Sequence, residues 1–588
     1  MRTSHLKFPT PLGIDYLKKW VLLGTLIGIF SGAGAIAFTL LLKYATYLFL
    51  GLGAGFTPPS GEGELILSSI KRLWAIPLIT TLGGFISGLI VEKLAPEAEG
   101  HGTDAAIDAF HRKEGRIRRR IPLLKLIASA ITIGSGGSAG REGPIAQVSA
   151  GLASLVSELF KLSPKERRIA LAVGIGAGIG TIFKAPLGGA ILGASILYRR
   201  DIETEALLPS FIASVVGYSI YCVWHGWGRI FEAPSLYFQR PQELLSYILL
   251  GIACAILGIV YARTFYGVRN LFRRLSLPLS LKSAMGGLGT GIIALFLPQV
   301  LGVGYGWLQL AINGDTTSLP LWIMATLIPA KILATSLSIG SGGSGGVFAP
   351  GLFIGGMLGG SLWWLLHRFM PFITPDSISA FVIVGMMSLF GGIAKAPLAV
   401  ILMVSEMTGE YTMLVPSMLS VAIVYILTGK HSIYESQVPT RAESPAHRPE
   451  YYIPLLQSLS VREAMSKNPI TISPNASALE AGDILKSFKV DALPVIENGS
   501  LVGIVATLDI APIPPSKRAE IKVSDIMSRD LVVTYPDESL FEAMSRMTRY
   551  DISHLPVVSR ESPKELVGII TPSDITKLYS LKMLEREE

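Results

Sequence analysis

Charge is scarce in this sequence. Only 16% of its 588 residues are Asp, Glu, Lys or Arg, whereas a soluble domain carries about a quarter. Cysteine is nearly absent. Cys222 and Cys254 both lie in apolar runs, which excludes a disulfide-stapled secreted scaffold and a cysteine metal cluster. The eight histidines, at 5, 101, 111, 225, 367, 431, 447 and 554, form no His-Glu-x-x-His, so a membrane-embedded zinc protease is excluded. What is abundant is apolar: half of the residues are hydrophobic, and glycine numbers 62. That balance predicts a polytopic membrane protein whose helices pack closely.

The charge that exists is unevenly spread. Residues 1–440 hold 34 Lys and Arg against 22 Asp and Glu, and residues 441–588 hold 17 against 21. The first part is membrane-like, and its basic excess suits anions or anionic lipid without singling out nucleic acid. The tail is soluble-like. The first apolar run, Val21 to about Leu50, exceeds a signal-peptide core of about 7–15 residues. It reads as an uncleaved spanning helix with Lys18 and Lys19 on its cytoplasmic side. The basic cluster Arg112–Arg120 reads as a cytoplasmic loop by the same rule. Further apolar runs between 75 and 428, among them 169–198 and 377–405, are often too short to cross or are broken by Gly or Pro. Such segments in matching positions mark a transporter built from repeats.

A repeat is visible. Lys125–Ser138 aligns with Lys331–Ser344 at an offset of 206, continuing to Gly140 and Gly346 and to Pro144 and Pro350. Lys184-Ala-Pro-Leu187 matches Lys395-Ala-Pro-Leu398 at an offset of 211. Whether the halves run parallel or inverted stays open at this point. The tail repeats too. Val461–Ser466 resembles Val523–Ser528, and Leu493-Pro494-Val495 resembles Leu555-Pro556-Val557, both at an offset of 62. Each tail unit reads strand, helix, strand, strand, helix. The polar, proline-bearing stretch 436–456 reads as the linker.

The runs Gly134-Ser-Gly-Gly-Ser-Ala-Gly140 and Gly340-Ser-Gly-Gly-Ser-Gly-Gly346 leave backbone N–H groups bare. Beside a helix start such amides coordinate anions, since the first amides of a helix lack partners. Glycine runs of this kind also serve helix packing. The first run continues as Gly140-Arg-Glu-Gly-Pro144 and the second as Gly346-Val-Phe-Ala-Pro350, so Glu142 faces Phe348 in register. A carboxylate at an intramembrane helix start is costly and marks function. The alternative is a structural Arg141–Glu142 pair.

These segments resemble the CLC family of chloride channels and chloride/proton antiporters. Gly-Arg-Glu-Gly-Pro carries that family's gating glutamate, Gly-x-Phe-x-Pro its second anion segment, and Ser432-Ile-Tyr434 is similar to its site tyrosine. The tail resembles the paired CBS module. The resemblance implies an all-α membrane domain over 1–435, with two inverted repeats of tilted, broken helices at about 20–225 and 240–435. An α/β cytoplasmic CBS pair would follow, at 457–515 and 519–582. It implies a homodimer in the lipid bilayer, with Glu142 as the gate. His101, Gly102, Gly346, Val347, Phe348 and Tyr434 would form the anion site.

Two departures stand out. The family's first anion segment reads Gly-Ser-Gly-Ile-Pro, and here Gly100-His-Gly-Thr-Asp104 takes its place. An imidazole donates one hydrogen bond when neutral and adds charge when protonated; otherwise His101 points away and amides alone line the site. The second concerns protons. Proton-coupled members carry an inner glutamate where this chain has Ile196, preceded by Ser195, whose counterpart in register is Glu406. Asp201, Glu203 and Glu205 lie nearby as other inner acids or as a solvated loop. In the tail, the family's Gly-h-x-Thr-x-x-Asp pattern is met by Gly568, Thr571 and Asp574; the first unit has Ala506 for the threonine and keeps Asp509. Thr571, Asp574 and Asp509 are therefore the candidate contacts for an adenine nucleotide (ATP, ADP or AMP); the alternative is a purely structural dimerisation module. No cofactor is required. The reading is a chloride transport protein, not an enzyme, channel-like or weakly proton-coupled; the alternative is a chloride/proton antiporter with a non-standard inner acid.

Overall fold

The computed structural model describes residues 14–61, 67–238, 240–374, 377–447 and 455–585. It divides into a helical unit up to Ala446 and a second unit from His447. The helical unit has sixteen principal helices among the described residues. The first eight are α1 (Ile14–Thr46), α2 (Ile76–Leu94), α3 (Thr103–Arg112), α4 (Ile121–Gly134), α5 (Glu142–Leu159), α6 (Pro164–Ile182), α7 (Pro186–Ser195) and α8 (Thr204–His225). The second eight are α9 (Glu243–Arg274), α10 (Leu279–Phe296), α11 (Tyr305–Ile312), α12 (Leu321–Gly340), α13 (Phe348–Leu366), α14 (Ile378–Ile393), α15 (Pro397–Thr408) and α16 (Leu414–Leu427). Each series runs long, long, short, and then five more helices. The duplication therefore extends beyond the two aligned blocks to the whole unit.

Among the described residues, seven helices are long and apolar enough to cross a membrane, and five more apolar ones are shorter. The runs 169–198 and 377–405 are each two helices, not one. The break falls at the repeated Lys-Ala-Pro. Lys184 and Lys395 adopt left-handed conformations, with φ 52° and 58°, and the prolines then open α7 and α15. A proline disfavours helix at the residue before it and supplies no N–H, so it starts a helix well and continues one badly.

The halves are related by a local two-fold. Gly140 N–H donates to Gly346 O, and Gly346 N–H donates to Gly140 O, both at 2.7 Å. These two residues are equivalent in the repeat. The hydrogen bonds around them are reciprocal as well. Ser138 N–H meets Ser338 Oγ at 2.9 Å, and its counterpart Ser344 N–H meets Thr132 Oγ1 at 3.4 Å. Ser138 Oγ lies 3.0 Å from Thr335 Oγ1, and Ser344 Oγ lies 2.9 Å from Ser129 Oγ. Contacts in which i meets j and j's equivalent meets i's are those of a two-fold interface. The repeats are inverted relative to each other.

A third repeated device is a buried lysine. Lys125 Nζ donates to Ala98 O and Gly100 O, both at 2.8 Å. Lys331 Nζ donates to Val300 O and Gly302 O, both at 2.9 Å. Both side chains are fully buried. Each ammonium satisfies two carbonyls of an irregular loop that has no helix or sheet to do so. Those loops are themselves equivalent. Gly100 and Gly102 lead into α3 with φ 73° and 81°, and Gly302 and Gly304 lead into α11 with φ 59° and 89°.

The segment 436–446, expected as linker, belongs to the helical unit for a physical reason: its polar groups are used there. Ser436 N–H and Oγ–H donate to Asp104 at 2.8 Å each. Gln437 Nε2 donates to Ile196 O and Ala394 O. Arg199 N–H donates to Val438 O, and Ser444 Oγ meets His111 Nδ1 at 2.8 Å.

The second unit is α/β. Strand β2 (Ala492–Glu497) pairs antiparallel with β3 (Ser500–Ala506), and β4 (Leu555–Val558) with β5 (Leu566–Ile570). The short β1 (Ser466–Lys467) joins β5, so the two sequence repeats exchange a strand. Ser477 and Ser539, equivalent in the tail repeat, cap the helices 478–488 and 540–550 through the amides of Glu480 and Glu542, a standard way to satisfy a helix start.

Lys331→Met keeps the apolar stem but leaves the carbonyls of Val300 and Gly302 without their donor. An unsatisfied buried acceptor costs about 1–3 kcal/mol. Thermal unfolding in detergent should fall by several degrees, and an unchanged midpoint would show that both carbonyls find other donors.

Candidate anion-binding site

The centre of the helical unit is made of helix starts. Helix α5 begins at Glu142, α13 at Phe348 and α3 at Thr103, and the loops before them are in backbone contact. Gly100 N–H donates to Gly343 O at 3.0 Å, and Gly345 N–H donates to Gly100 O at 3.2 Å. The approach leaves no space for side chains. A Cβ on Gly143 would stand 2.0 Å from His101 O, and one on Gly140 would stand 2.0 Å from Glu142 Oε2. The glycines expected to bare the backbone therefore do so by necessity.

Glu142 is 1% exposed. Its Oε1 accepts the Tyr305 hydroxyl at 2.5 Å, and its Oε2 faces the Ala349 amide at 3.4 Å. The carboxylate thus crosses from the start of α5 to the first turn of α13, where bare amides and the helix dipole favour negative charge. It is not simply one half of an Arg141 pair, although the Arg141 guanidinium lies 5.5 Å from the Tyr305 ring.

Val347 and Phe348 form the N-terminal edge of α13. The Val347 carbonyl accepts the Tyr261 hydroxyl at 3.1 Å. The Phe348 ring packs between Phe183 and Phe390, with centroids 4.8 and 4.1 Å away. These contacts fix the direction in which the start of α13 points. Gly346, in the paired loop, completes this edge.

Tyr434 is buried, with Thr103 at the start of α3 beside it. The His101 ring lies 5.4 Å from the Tyr434 ring and 5.9 Å from that of Phe265. His101 and Gly102 thus meet Tyr434, Glu142, Gly346, Val347 and Phe348 in one region. His101 does not point away from it. The ring borders a cavity of about 270 Å³, lined also by Asp104, Glu99, Phe265, Arg269 and Arg273.

Ile196 stands apart. It is fully buried at the end of α7, and Gln437 holds its carbonyl. Its acidic neighbours all have work in the fold. Asp201 accepts from the Arg441 amide at 2.9 Å, Glu205 pairs with Lys165 at 2.8 Å, and Glu203 accepts the Tyr198 hydroxyl at 2.7 Å and faces Arg441. Glu406 caps α7 by accepting the amides of Leu187 and Gly188 at 3.1 and 2.7 Å.

In the second unit, Asp574 Oδ2 accepts the Thr571 amide and hydroxyl at 2.9 and 2.7 Å, and Asp509 Oδ2 accepts the Ala506 amide at 2.7 Å. Both carboxylates therefore fold back on their own turns. His554, unremarked in the sequence, lies near Asp491 of the first repeat and Asp574 of the second. Burial holds its imidazole below the usual value against the pull of those two carboxylates.

Tyr305 is the residue that motif reading missed. Its signal was present: Gly302-Val-Gly304-Tyr305 repeats Gly100-His-Gly102-Thr103 at an offset of 202. Tyr305 bonds to Glu142 from the start of α11.

With this geometry in hand, comparison with known proteins is direct. Residues 83–429 match the family model described as voltage gated chloride channel, and 461–513 and 523–581 each match the CBS domain. A ClcB-like chloride channel protein of Ralstonia nicotianae is 31% identical over 417 residues, covering 70% of this chain and 94% of that one. Chloride channel protein CLC-f of Arabidopsis thaliana is 28% identical over 628 residues, covering 93% and 78%. The crystal structure of a slow cyanobacterial Cl−/H+ antiporter is similar in fold, with a TM-score of 0.61 and 24% identity over 71% of this chain and 96% of that one.

Tyr305→Phe removes a charge-assisted hydrogen bond from Glu142, a loss of about 1.5–3 kcal/mol. Chloride should then compete with the carboxylate at concentrations roughly tenfold lower or more, as read by calorimetric titration. Unchanged affinity would mean that the hydroxyl does not hold the carboxylate in place.

Proposed function

Because the chain belongs to the voltage-gated chloride channel family, we propose that it carries chloride, or a similar monovalent anion, along a pathway gated by Glu142. The family consists of channels and transporters rather than enzymes, and this chain is an integral membrane protein. The observation that carries the gating reading is the Glu142 carboxylate at the first turn of α13, between Tyr305 and Ala349. A site that holds a carboxylate by bare amides holds a halide by the same means. One displaces the other, and protonation of the carboxylate also empties the site.

Beyond the gate, the anion is taken by the amides of Gly346, Val347 and Phe348 and by the Tyr434 hydroxyl. His101 and Gly102 form the opposite wall. Binding through amide dipoles and hydroxyls is weak enough to let the ion leave, as conduction requires. The cavity beside His101 is the inner mouth, because Lys113 and the basic cluster Arg112–Arg120 lie on that side and positive loops face the cytoplasm. The CBS tail, by chain continuity from 436–446, is cytoplasmic. The working form is a homodimer with one pathway per subunit.

The transport is channel-like or weakly proton-coupled. Ile196 cannot pass a proton, and Glu406 is engaged as a helix cap. The second reading, a chloride/proton antiporter with a different inner acid, is favoured by one observation: Glu203 is 1% exposed and linked to the Tyr198 hydroxyl. Recording chloride efflux and internal pH together in reconstituted liposomes separates the two. Proton movement driven uphill by the chloride gradient would overturn the channel-like reading and make Glu203 the acid to replace.

Adenine nucleotide is the proposed ligand of the CBS pair, with Thr571 and Asp574 as its contacts in the second repeat and Asp509 a weaker one in the first. Two expectations follow from these roles. Glu142→Gln, which cannot ionise, should leave chloride flux independent of external pH; a retained pH profile would place the gate elsewhere. Asp574→Ala in the full chain should abolish ATP binding measured by calorimetry, and binding at wild-type affinity would remove Asp574 from the site.

A further inference from the structure

The histidine in the first anion segment has surroundings that a serine hydroxyl would not need. The imidazole is 5% exposed, and its Nδ1 is buried with no hydrogen-bond partner. A buried polar nitrogen left unmatched is costly and calls for a ligand or a role. The ring stands between the Tyr434 ring and the cavity at the inner mouth. It therefore borders both the proposed anion site and the cavity through which water would bring a proton.

The charges around His101 come from every element packed on it. Asp104 of α3, Lys125 of α4 and Arg269 of α9 act on the ring directly. Asp104 spends its carboxylate oxygens on Ser436, Lys125 on two carbonyls, and Arg269 on Glu435 at 2.7 Å. Farther out on the cavity wall are Glu97, Glu99, Asp108, Lys113 and Arg273. Glu97 is bonded to Arg118, and Asp108 to Arg112 and Lys113. The wall thus carries ion-paired acids, and the Asp104 oxygens are taken by Ser436.

Without an anion beside it the imidazole stays neutral, because burial, with the charges of Lys125 and Arg269, outweighs the pull of Asp104. A chloride ion arriving beside the ring supplies that counter-ion. The two events then favour each other, and by linkage each raises the affinity of the other equally. We infer that His101 makes the inner anion site a joint site for chloride and a proton. A proton from the cavity water goes to the ring as chloride binds, giving an imidazolium–chloride pair, and leaves when the anion leaves.

This inference rests on the chloride reading above and extends it. The test separates the two by working in the Glu142→Gln chain, where the gate no longer titrates. Chloride binding to the full-length protein is measured by calorimetry at several pH values and in buffers of different ionisation enthalpy, which counts protons taken up. The expected result is proton uptake on chloride binding and an affinity that rises by up to about tenfold per pH unit towards acid, the limit for one linked proton. Adding His101→Ser or the near-isosteric His101→Gln should weaken chloride binding at acid pH and abolish both the proton uptake and the pH dependence of the affinity. No proton uptake in the Glu142→Gln chain overturns the proposal by itself, whether or not the double variants fold. Equal uptake after either His101 substitution overturns it too. Absence of chloride binding in wild type and Glu142→Gln alike would instead overturn the proposed function, and this inference with it.

Discussion

Gly140 and Gly346 exchange two backbone hydrogen bonds of 2.7 Å at the middle of the helical unit. The rest of the site hangs from that pair. The bonds fasten the loop before α5 to the loop before α13, so two helix starts from different halves of the chain open on one place. A helix start carries unmatched N–H groups and partial positive charge. Bringing such ends together inside a membrane lines the proposed anion site with backbone amides. The cost is an irregular backbone where no water can satisfy it. Paired serines and threonines at 129, 132, 138, 335, 338 and 344 offset that cost in the paired loops. Lys125 and Lys331 offset it in the Gly-x-Gly loops.

Symmetry of backbone coexists with asymmetry of side chains, and the asymmetry gives the pathway direction. Equivalent positions hold Glu142 and Phe348, Thr103 and Tyr305, His101 and Val303. Glu142 and Tyr305 bond to each other on one side of the glycine pair. His101 and Thr103 gather beside Tyr434. On the proposed function, a carboxylate closes the pathway, and an aromatic hydroxyl and an imidazole line it further on.

Much of this was legible in the sequence because glycine and proline report backbone directly. The blocks around Gly140 and Gly346 gave the duplication, and Glu142 facing Phe348 stood out as a charge where apolar residues were expected. Tyr305 escaped because its only repeated companions are glycines, at an offset of 202 rather than 206. Four more residues separate Gly304 from Lys331 than separate Gly102 from Lys125, and that difference hides the register. The buried lysines were visible as letters but not as devices, since nothing local shows that their ammonium groups meet carbonyls some thirty residues away. The stretch 436–446 looked like linker by composition; its polar groups are instead satisfied by Asp104, Arg199 and His111.

The crowding at the glycine pair also limits how this protein can change. Neither Gly140 nor Gly143 can accept so much as a methyl group without moving a neighbouring backbone or displacing the Glu142 carboxylate. Any lineage, or any engineer, seeking a different ion preference is shut out of the backbone half of the site. The vocabulary left for adaptation is the side chains that border the path: Glu142, Tyr305, Tyr434 and, above all, His101, where this sequence has already written a different word.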